Sequence, residues 1–264
     1  MAKRSQKTKI AIAIDNGLLT QIDALVDGTT LTSRSQAISH FLQQSLRDIM
    51  VTHAVILLHR DHHDVALSLL DGEPLLKAQL SLFLQHGIRD VCLVTQEGPR
   101  LAEIATLGAT LLPSFSVILA DAKGTADALL AAKEHLSHVP FVAMSGDTFN
   151  RFDLSRMILR HMRSDRLATM GLVNKEDVQG CGVVLLDGEQ IIHISHDLPQ
   201  NGSHIINAGI YIFRPEIFSL LGNAVSLERE VFPQLVGIRQ LMGHFTHGTY
   251  VHMPEKLQQA HDRV

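Results

Sequence analysis

The stretch HRDHHDVALSLLDGEPLL, His59 to Leu76, follows directly on the apolar run HAVILL and opens with three histidines, an arginine and two aspartates. A strand that leads through a loop into a helix is where an α/β protein usually holds a phosphate, on glycine amides and a helix N-terminus. This loop has no glycine before Gly72. Its side chains suggest other chemistry. His59, Asp61, His62, His63 and Asp64 are of metal-ligand type, and a strand-end loop can make such groups converge. Against that, His62 and His63 are adjacent, no cysteine pattern accompanies them, and the chain holds 16 histidines, so surface histidine is the reading adopted. Serine, histidine and aspartate all occur, but without a G-x-S-x-G elbow they give no support to hydrolysis.

The elements that must carry these residues come from a chain of 264 residues, 45% hydrophobic and 19% charged, enough for one large domain and a small one. No window approaches the roughly 18 uninterrupted apolar residues of a spanning helix, and MAKRSQKTK lacks the apolar core of a signal peptide. The expectation is a cytoplasmic protein with no membrane partner. Cys92 and Cys181 lie far apart within apolar stretches and are expected to be core thiols. The net charge of -4 conceals an asymmetry: six basic face four acidic side chains in residues 1–50, against 17 and 23 in the rest. The basic end suggests a polyanionic partner for that end alone.

In the first fifty residues, KIAIAID alternates with the period of a half-buried strand, Ile10, Ile12 and Ile14 on one side and Lys9, Ala11 and Ala13 on the other. Asp15 or Asn16 can cap a helix carrying Leu18, Leu19, Ile22 and Leu25. After Gly28, Thr32 or Ser33 can cap a second, with Ala37, Ile38, Phe41, Leu42 and Leu46 on one face. A lone strand needs a partner, which a second copy would supply. This order resembles the ribbon-helix-helix family of DNA-binding proteins over about residues 7–49, with TSRSQAI its most specific part. The resemblance implies a dimer that places Lys9, Ala11 and Ala13 in the major groove, with the backbone at Ser33, Arg34 and Ser35 on a phosphate. Lys3, Arg4 and Lys7 would add arm contacts. Alanine can touch a thymine methyl but reads no donor or acceptor, so weak or shape-based specificity is also open. The competing reading is a dimerisation module without DNA.

From residue 51 to 264 strands and helices alternate. AVILL, VCLVT, ATLLP and FVAMSGD read as strands, the last ending at Asp147, and GEPLLKAQLSLFLQHGIRD and TADALLAAKEHL as crossover helices. The expected fold class is α/β: a dimeric N-terminal module, residues 1–50, followed by a Rossmann-like, mainly parallel sheet with ligands outside the strand C-termini. The segments AVILL, GEPLLKAQLSLFLQHGIRDVCLVT, GTADALLAAKEHL, FVAMSGDTFNRFDLSRMILRH, GCGVVLLDGEQI, NAGIYIFRPEIF, SLEREVFPQL and YVHMPEKLQQA, in this order, resemble the sugar-1-phosphate nucleotidyltransferases. That family implies a GGxGTRL loop, a PKP-type lysine, an EKP motif and a pair of aspartates for magnesium. Here the three glycines fall on His59, Arg60 and His62 and the arginine on Asp64. The first lysine has no counterpart, SHDLP stands at the EKP position, and His252 stands where the second aspartate belongs.

Loss of that much positive charge argues against synthesis. The expectation is therefore no catalytic residue, no cofactor, and magnesium on Asp147 only if nucleotide binding persists. The resemblance still implies a nucleotide or nucleotide-sugar pocket at Gly124, Thr125, Ala126, Gly146, Asp147, Gly182, Asn207, Gly209 and Glu228, although glycines at strand ends also persist for backbone geometry. The leading expectation is a DNA-binding transcriptional regulator whose large domain, a pseudo-nucleotidyltransferase, serves as ligand sensor or assembly module. The alternative is an active nucleotidyltransferase on sugar phosphates with an N-terminal oligomerisation module. A third reading is an antitoxin-like module with a protein partner.

Overall fold

The computed structural model of the protein describes residues 10–195, 203–245 and 249–261, and it divides into two units, Met1–Ile49 and Met50–Val264. In the small unit, α1 (Asn16–Ala24) starts where the Asp15 carboxylate accepts the amides of Gly17 and Leu18, at 2.8 and 3.1 Å. A second carboxylate, Asp27, accepts the amides of Thr29, Thr30 and Leu31, and those bonds lower its pKa to about 2. This turn, with Gly28 at φ +72°, delivers the chain to α2 (Arg34–Ile49), whose first turn is capped by the Ser33 hydroxyl accepting from the Gln36 amide. The Arg34 guanidinium forks onto Asp23 of α1, its Nη2 at 2.6 Å from the carboxylate.

The two helices form as their apolar spacing requires, but the expected strand does not. Residues 10–15 are irregular, with Ala11 and Ala13 exposed. Alternation alone cannot make a strand, because the backbone donors and acceptors need a neighbouring strand, and the small unit contains none among its described residues. Lys3, Arg4, Lys7 and Lys9 lie outside the described residues. Ser33 is used as a helix cap, Arg34 is engaged by Asp23, and Ser35 is exposed.

The large unit runs β1 (His53–Leu57), α3 (His63–Leu67), β2 (Leu69–Leu70), β3 (Glu73–Pro74), α4 (Leu75–Gln85), β4 (Asp90–Thr95), α5 (Leu101–Leu111), β5 (Phe115–Leu119), α6 (Thr125–Ala131) and α7 (Lys133–Leu136). It continues through β6 (Phe141–Ser145), β7 (Thr148–Asn150), α8 (Leu154–Arg163), β8 (Ala168–Asn174), β9 (Val183–Asp187), β10 (Gln190–Ser195) and β11 (Ile205–Phe213). The last elements are α9 (Phe218–Leu221), α10 (Phe232–Gly237), β12 (Leu241–Phe245), β13 (Tyr250–His252) and α11 (Met253–His261). Nine strands form one sheet in the order β5-β4-β1-β6-β11-β8-β12-β10-β9.

The sheet is mixed rather than mainly parallel. β5, β4, β1 and β6 pair in parallel, because helical crossovers return each strand in the same sense. β11 runs antiparallel to both β6 and β8, and β9 and β10 form a hairpin, so the second half is largely antiparallel. β1 is buried on both faces: Ala54 and Ile56 join a core with Leu80, Phe83 and Ile104, and Val55 joins the opposite one with Phe141, Tyr211 and Phe213. Such two-sided burial explains its uninterrupted apolar sequence. ATLLP is not a strand. Residues 109–111 close α5, and the strand β5 follows Pro113. TADALLAAKEHL divides into α6 and α7. Cys92 is buried, and its thiol pKa is pushed up to about 12 by burial, but Cys181 is partly exposed rather than core. No helix among the described residues is long and apolar enough to cross a membrane.

Candidate active site

The parallel half of the sheet brings the C-terminal ends of β1, β4 and β6 side by side, and the site is built there. The loop after β1 has no glycine because side chains from the β4 end hold its backbone. Arg60 donates its amide to Gln96 Oε1 at 2.9 Å, and Gln96 donates in turn to the carbonyl of Ala122 at 3.1 Å. His63 is 2% exposed, not a surface histidine, and its Nε2 bonds the Thr95 hydroxyl at 2.8 Å. Burial lowers its pKa. Asp64, at the position of the family's arginine, receives Arg100 Nη1 at 2.6 Å, so a cation reaches this loop from the start of α5.

Gly98 lies against the His63 ring: a Cβ there would stand 2.7 Å from His63 Nδ1. Gly98→Ala is therefore expected to destabilise the large unit by about 1–3 kcal/mol, the usual cost of overpacking. Thermal unfolding beside wild type checks this, and an unchanged midpoint would show that the two loops are not locked together.

Asp147 follows β6 after one tight step. Gly146 donates its amide to the Leu57 carbonyl at 2.8 Å, and a Cβ at Gly146 would come within 2.8 Å of the Leu58 Cβ, which explains the glycine without a ligand. The Asp147 side chain is 19% exposed, and its Oδ2 stands 3.1 Å from His62 Nδ1 and 3.8 Å from His252 Nε2. β13 brings His252 there by pairing antiparallel with β7, His252 opposite Thr148, and the Met253 amide closes on the Asp147 carbonyl at 3.0 Å. His252 Nδ1 meets Glu255 at 3.0 Å, and Glu255 meets Lys175 Nζ at 2.8 Å. Lys175 Nζ lies 3.6 Å from the Cys181 sulfur.

A chain of alternating charge types thus crosses the strand ends. Burial would raise the Asp147 pKa, but the neighbouring His252 and His62 rings outweigh it and hold the carboxyl well below the usual range. The carboxylate in turn raises the pKa of both imidazoles against the effect of burial. Glu255 is lowered: burial opposes the change, and Lys175 and His252 overcome it.

A separate group stands at the start of α6. Thr125 Oγ1 donates to Glu228 Oε2 at 2.7 Å and accepts the Leu227 amide at 2.9 Å, while the Ala126 amide bonds the Val225 carbonyl. Gly124 is held by sterics, since a Cβ there would meet the Val225 carbonyl oxygen at 2.5 Å. Gly124, Thr125, Thr95, Gln96, Leu57 and His59 contribute to the lining of a small pocket of about 150 Å³ over the ends of β1 and β4. Gly209, at φ +67° within an irregularity of β11, donates its amide to Asn207 Oδ1 at 2.9 Å. Asn207 Nδ2 donates to the buried Tyr211 hydroxyl at 2.7 Å, and the Asn207 amide donates to the Gly182 carbonyl. A larger recess of about 560 Å³ between α4 and β7, lined by Asp71, His86 and Arg151 among others, holds none of these groups.

Sequence reading singled out Asp147, Thr125 and Glu228, set His62 aside as a surface histidine, and did not pick out Arg100, Gln96, Lys175 or Glu255. Lys175 directly follows β8, and Glu255 stands three residues after His252 at the start of α11. Both positions are visible in the sequence once their elements are placed. The nucleotidyltransferase resemblance implies magnesium, and the donors here do not fit it. Magnesium takes hard oxygen ligands in near-octahedral geometry, whereas Asp147 Oδ2 faces two imidazole nitrogens. Among the described residues no group of three or more His, Cys, Asp or Glu is arranged to hold a metal ion.

A half-parallel α/β sheet with a buried carboxylate at one strand end and a threonine-glutamate pair at a neighbouring helix start belongs to the class of open-sheet proteins with a strand-end site. The chain belongs to the nucleotidyl transferase family, whose model matches residues 58–242. It is 30% identical over 180 residues to a mannose-1-phosphate guanylyltransferase catalytic subunit beta of Drosophila melanogaster, 64% of this chain and 48% of that protein. It is 28% identical over 170 residues to a mannose-1-phosphate guanylyltransferase of Mycobacterium tuberculosis, 62% of this chain and 47% of that one. The chain thus spans about half the length of these relatives.

Among solved structures, a UDP-glucose pyrophosphorylase from Acinetobacter baumanii superposes with a TM-score of 0.66 at 18% identity, covering 79% of this chain and 90% of that one. HddC from Yersinia pseudotuberculosis, complexed with GMP-PN, gives 0.65 at 19%, covering 81% and 99%. These two show the fold.

The expectation of a DNA-binding regulator with an inactive large domain is overturned by these relatives, which carry the names of transferases acting on a sugar phosphate. The physical reason lies in where positive charge was sought. The argument for inactivity counted cations only at the family's motif positions, but Arg100 enters from the β4 loop and Lys175 from the end of β8.

Proposed function

We propose that the protein is a nucleotidyltransferase that joins a nucleoside triphosphate to a sugar 1-phosphate and releases pyrophosphate. The observation that carries the reading is the Asp147 cluster at the β6 end, in a chain whose family match runs through it. In this reaction a phosphate oxygen of the sugar phosphate attacks the α-phosphorus, a new P–O bond forms, and the bond to the β-phosphate oxygen breaks with pyrophosphate leaving. Such transfer depends chiefly on positioning and charge stabilisation. In this reading His62, fixed by Asp147, faces the phosphates with His252 behind Asp147, Arg60 and Arg100 add charge from the neighbouring loops, and the small pocket beside Gly124 and Thr125 takes the base. Asn207, Gly209 and Glu228 would line the sugar side. Mannose 1-phosphate with GTP is the first pair to try, from the names of the relatives.

The test is pyrophosphate release by the purified full chain with each common nucleoside triphosphate, paired with mannose or glucose 1-phosphate. Release that requires the sugar phosphate, together with the matching nucleotide sugar as product, is the expected result. No release with any pair would overturn the reading.

The small unit serves in this proposal as an oligomerisation module. It leaves Ile10, Ile12, Leu18, Leu25 and Leu42 about half exposed or more, a large apolar fraction for so short a segment. Light scattering is expected to find an even-numbered oligomer for the full chain. The double variant Ile12→Lys, Leu18→Lys is expected to shift it to monomer with transfer retained, and an oligomer unchanged by that variant would exclude these side chains from the contact.

A further inference from the structure

We infer that the Asp147 cluster contacts phosphate oxygens directly through the His62 imidazole, in the place where the fold family implies magnesium, and that the protein binds nucleotide phosphates and pyrophosphate without a divalent cation. The inference rests on the nucleotidyl-transfer reading above, and it concerns how that site holds its ligand.

The donor set is the first argument. Asp147 is the one carboxylate of the implied magnesium pair, its Oδ2 faces His62 and His252 at 3.1 and 3.8 Å, and neither imidazole is a ligand that magnesium favours. A metal here would gain a single carboxylate and two poor ligands.

The placement of the imidazoles is the second. His252 turns one ring nitrogen toward Asp147 and the other toward Glu255, at 3.8 and 3.0 Å, so carboxylates flank the ring on both sides. Lys175 balances Glu255 in turn. His62 spends its Nδ1 on Asp147, which fixes the ring in place, and its side chain remains 38% exposed in the loop after β1. Its Nε2 is then the atom left to meet an incoming oxygen, and a charge-assisted N–H to phosphate is among the stronger hydrogen bonds available.

The loop supplies the third. Arg60 is more than half exposed beside His62, with Asp61 3.7 Å from its Nε, and Arg100 stands between Asp64 and Glu103 at the next strand end. Two guanidinium groups thus stand in the loops near His62, while the loop has no glycine amides to offer. The chemistry is that of an arginine-histidine phosphate site.

Isothermal titration of the full chain with GTP and, separately, with inorganic pyrophosphate, each in EDTA and in millimolar magnesium, tests this. Affinities that agree within about threefold across the two conditions, and a weakening of both ligands by about tenfold in His62→Ala, are expected. Thermal unfolding of His62→Ala and His62→Gln shows that each remains folded. Magnesium that tightens either ligand by about tenfold or more, with that gain lost in Asp147→Asn, would overturn the inference. So would pyrophosphate that fails to bind in both conditions. GTP and pyrophosphate binding in EDTA, with no pyrophosphate release from any pair of nucleoside triphosphate and sugar phosphate, would leave this inference standing while removing the nucleotidyl-transfer reading.

Discussion

Replacing Asp147 with alanine is expected to lower sugar-phosphate-dependent pyrophosphate release by about a thousandfold, the scale on which loss of one transition-state-stabilising group is felt. The carboxylate is the common partner of His62 and His252. Without it, His62 has lost its partner and faces His252 across an empty position. His252 can remain on Glu255, but His62 loses the ion pair that fixes its ring. The loss should fall mainly on kcat, since Thr125 at the base pocket and Glu228 on the sugar side lie on other elements and keep their own bond. Asp147→Asn keeps the shape and one acceptor but not the charge, and is expected to fall between the two. Steady-state kinetics on both variants, with far-UV circular dichroism as the fold check, decide the matter. An alanine variant within tenfold of wild type would remove Asp147 from the site.

How far this arrangement was legible follows from the range over which its parts meet. β1, α4, β4 and β6 announce themselves because each is a local apolar pattern of the right period and length, and Asp147 is found as the first charged residue after such a run. ATLLP misled because Leu107 and Leu111, spaced for the inner face of α5, run on into Leu112, and the apolar stretch looks like a strand. Pro113 marks the true boundary, and the strand comes after it. The strand at residues 10–14 had the right alternation but no neighbour, and a ladder is a property of two segments. Lys175 and Glu255 are 80 residues apart and meet only once α11 folds back over the end of β8, so no local pattern could pair them. Arg100 shows the same limit in a way that changed the functional reading. A loop judged to have lost its cation receives one from 36 positions further along the chain.

Acidification is expected to unfold the large unit early, through two histidines that take no part in the site. His161 on α8 is fully buried, with Nδ1 on the Thr169 hydroxyl at 2.8 Å and Nε2 without a partner among the described residues. His244 on β12 is 2% exposed, and neither ring nitrogen has a partner among the described residues. Burial lowers both pKa values, to about 3 for His161, with Arg214 adding to the effect, and to about 4 for His244, where Arg160 and Arg156 add to it and Asp153 opposes. Both groups are neutral when folded, and when unfolded they protonate near the ordinary value of 6.5. The unfolded chain therefore binds more protons at any pH between those limits, and stability falls as pH falls. The stabilising contribution is complete above about pH 6.5. It declines by about 1.4 kcal/mol per pH unit for each histidine below that, a loss on the order of 5 kcal/mol for the pair by about pH 4.5. Urea unfolding at a series of pH values reads the slope directly. His244→Leu removes two unpartnered nitrogens and one titrating group, so it is expected to leave stability at pH 7 equal or higher and to make the acid slope shallower by about half. A slope unchanged by that variant would mean that His244 is hydrated in the folded protein and titrates there as it does in the unfolded chain.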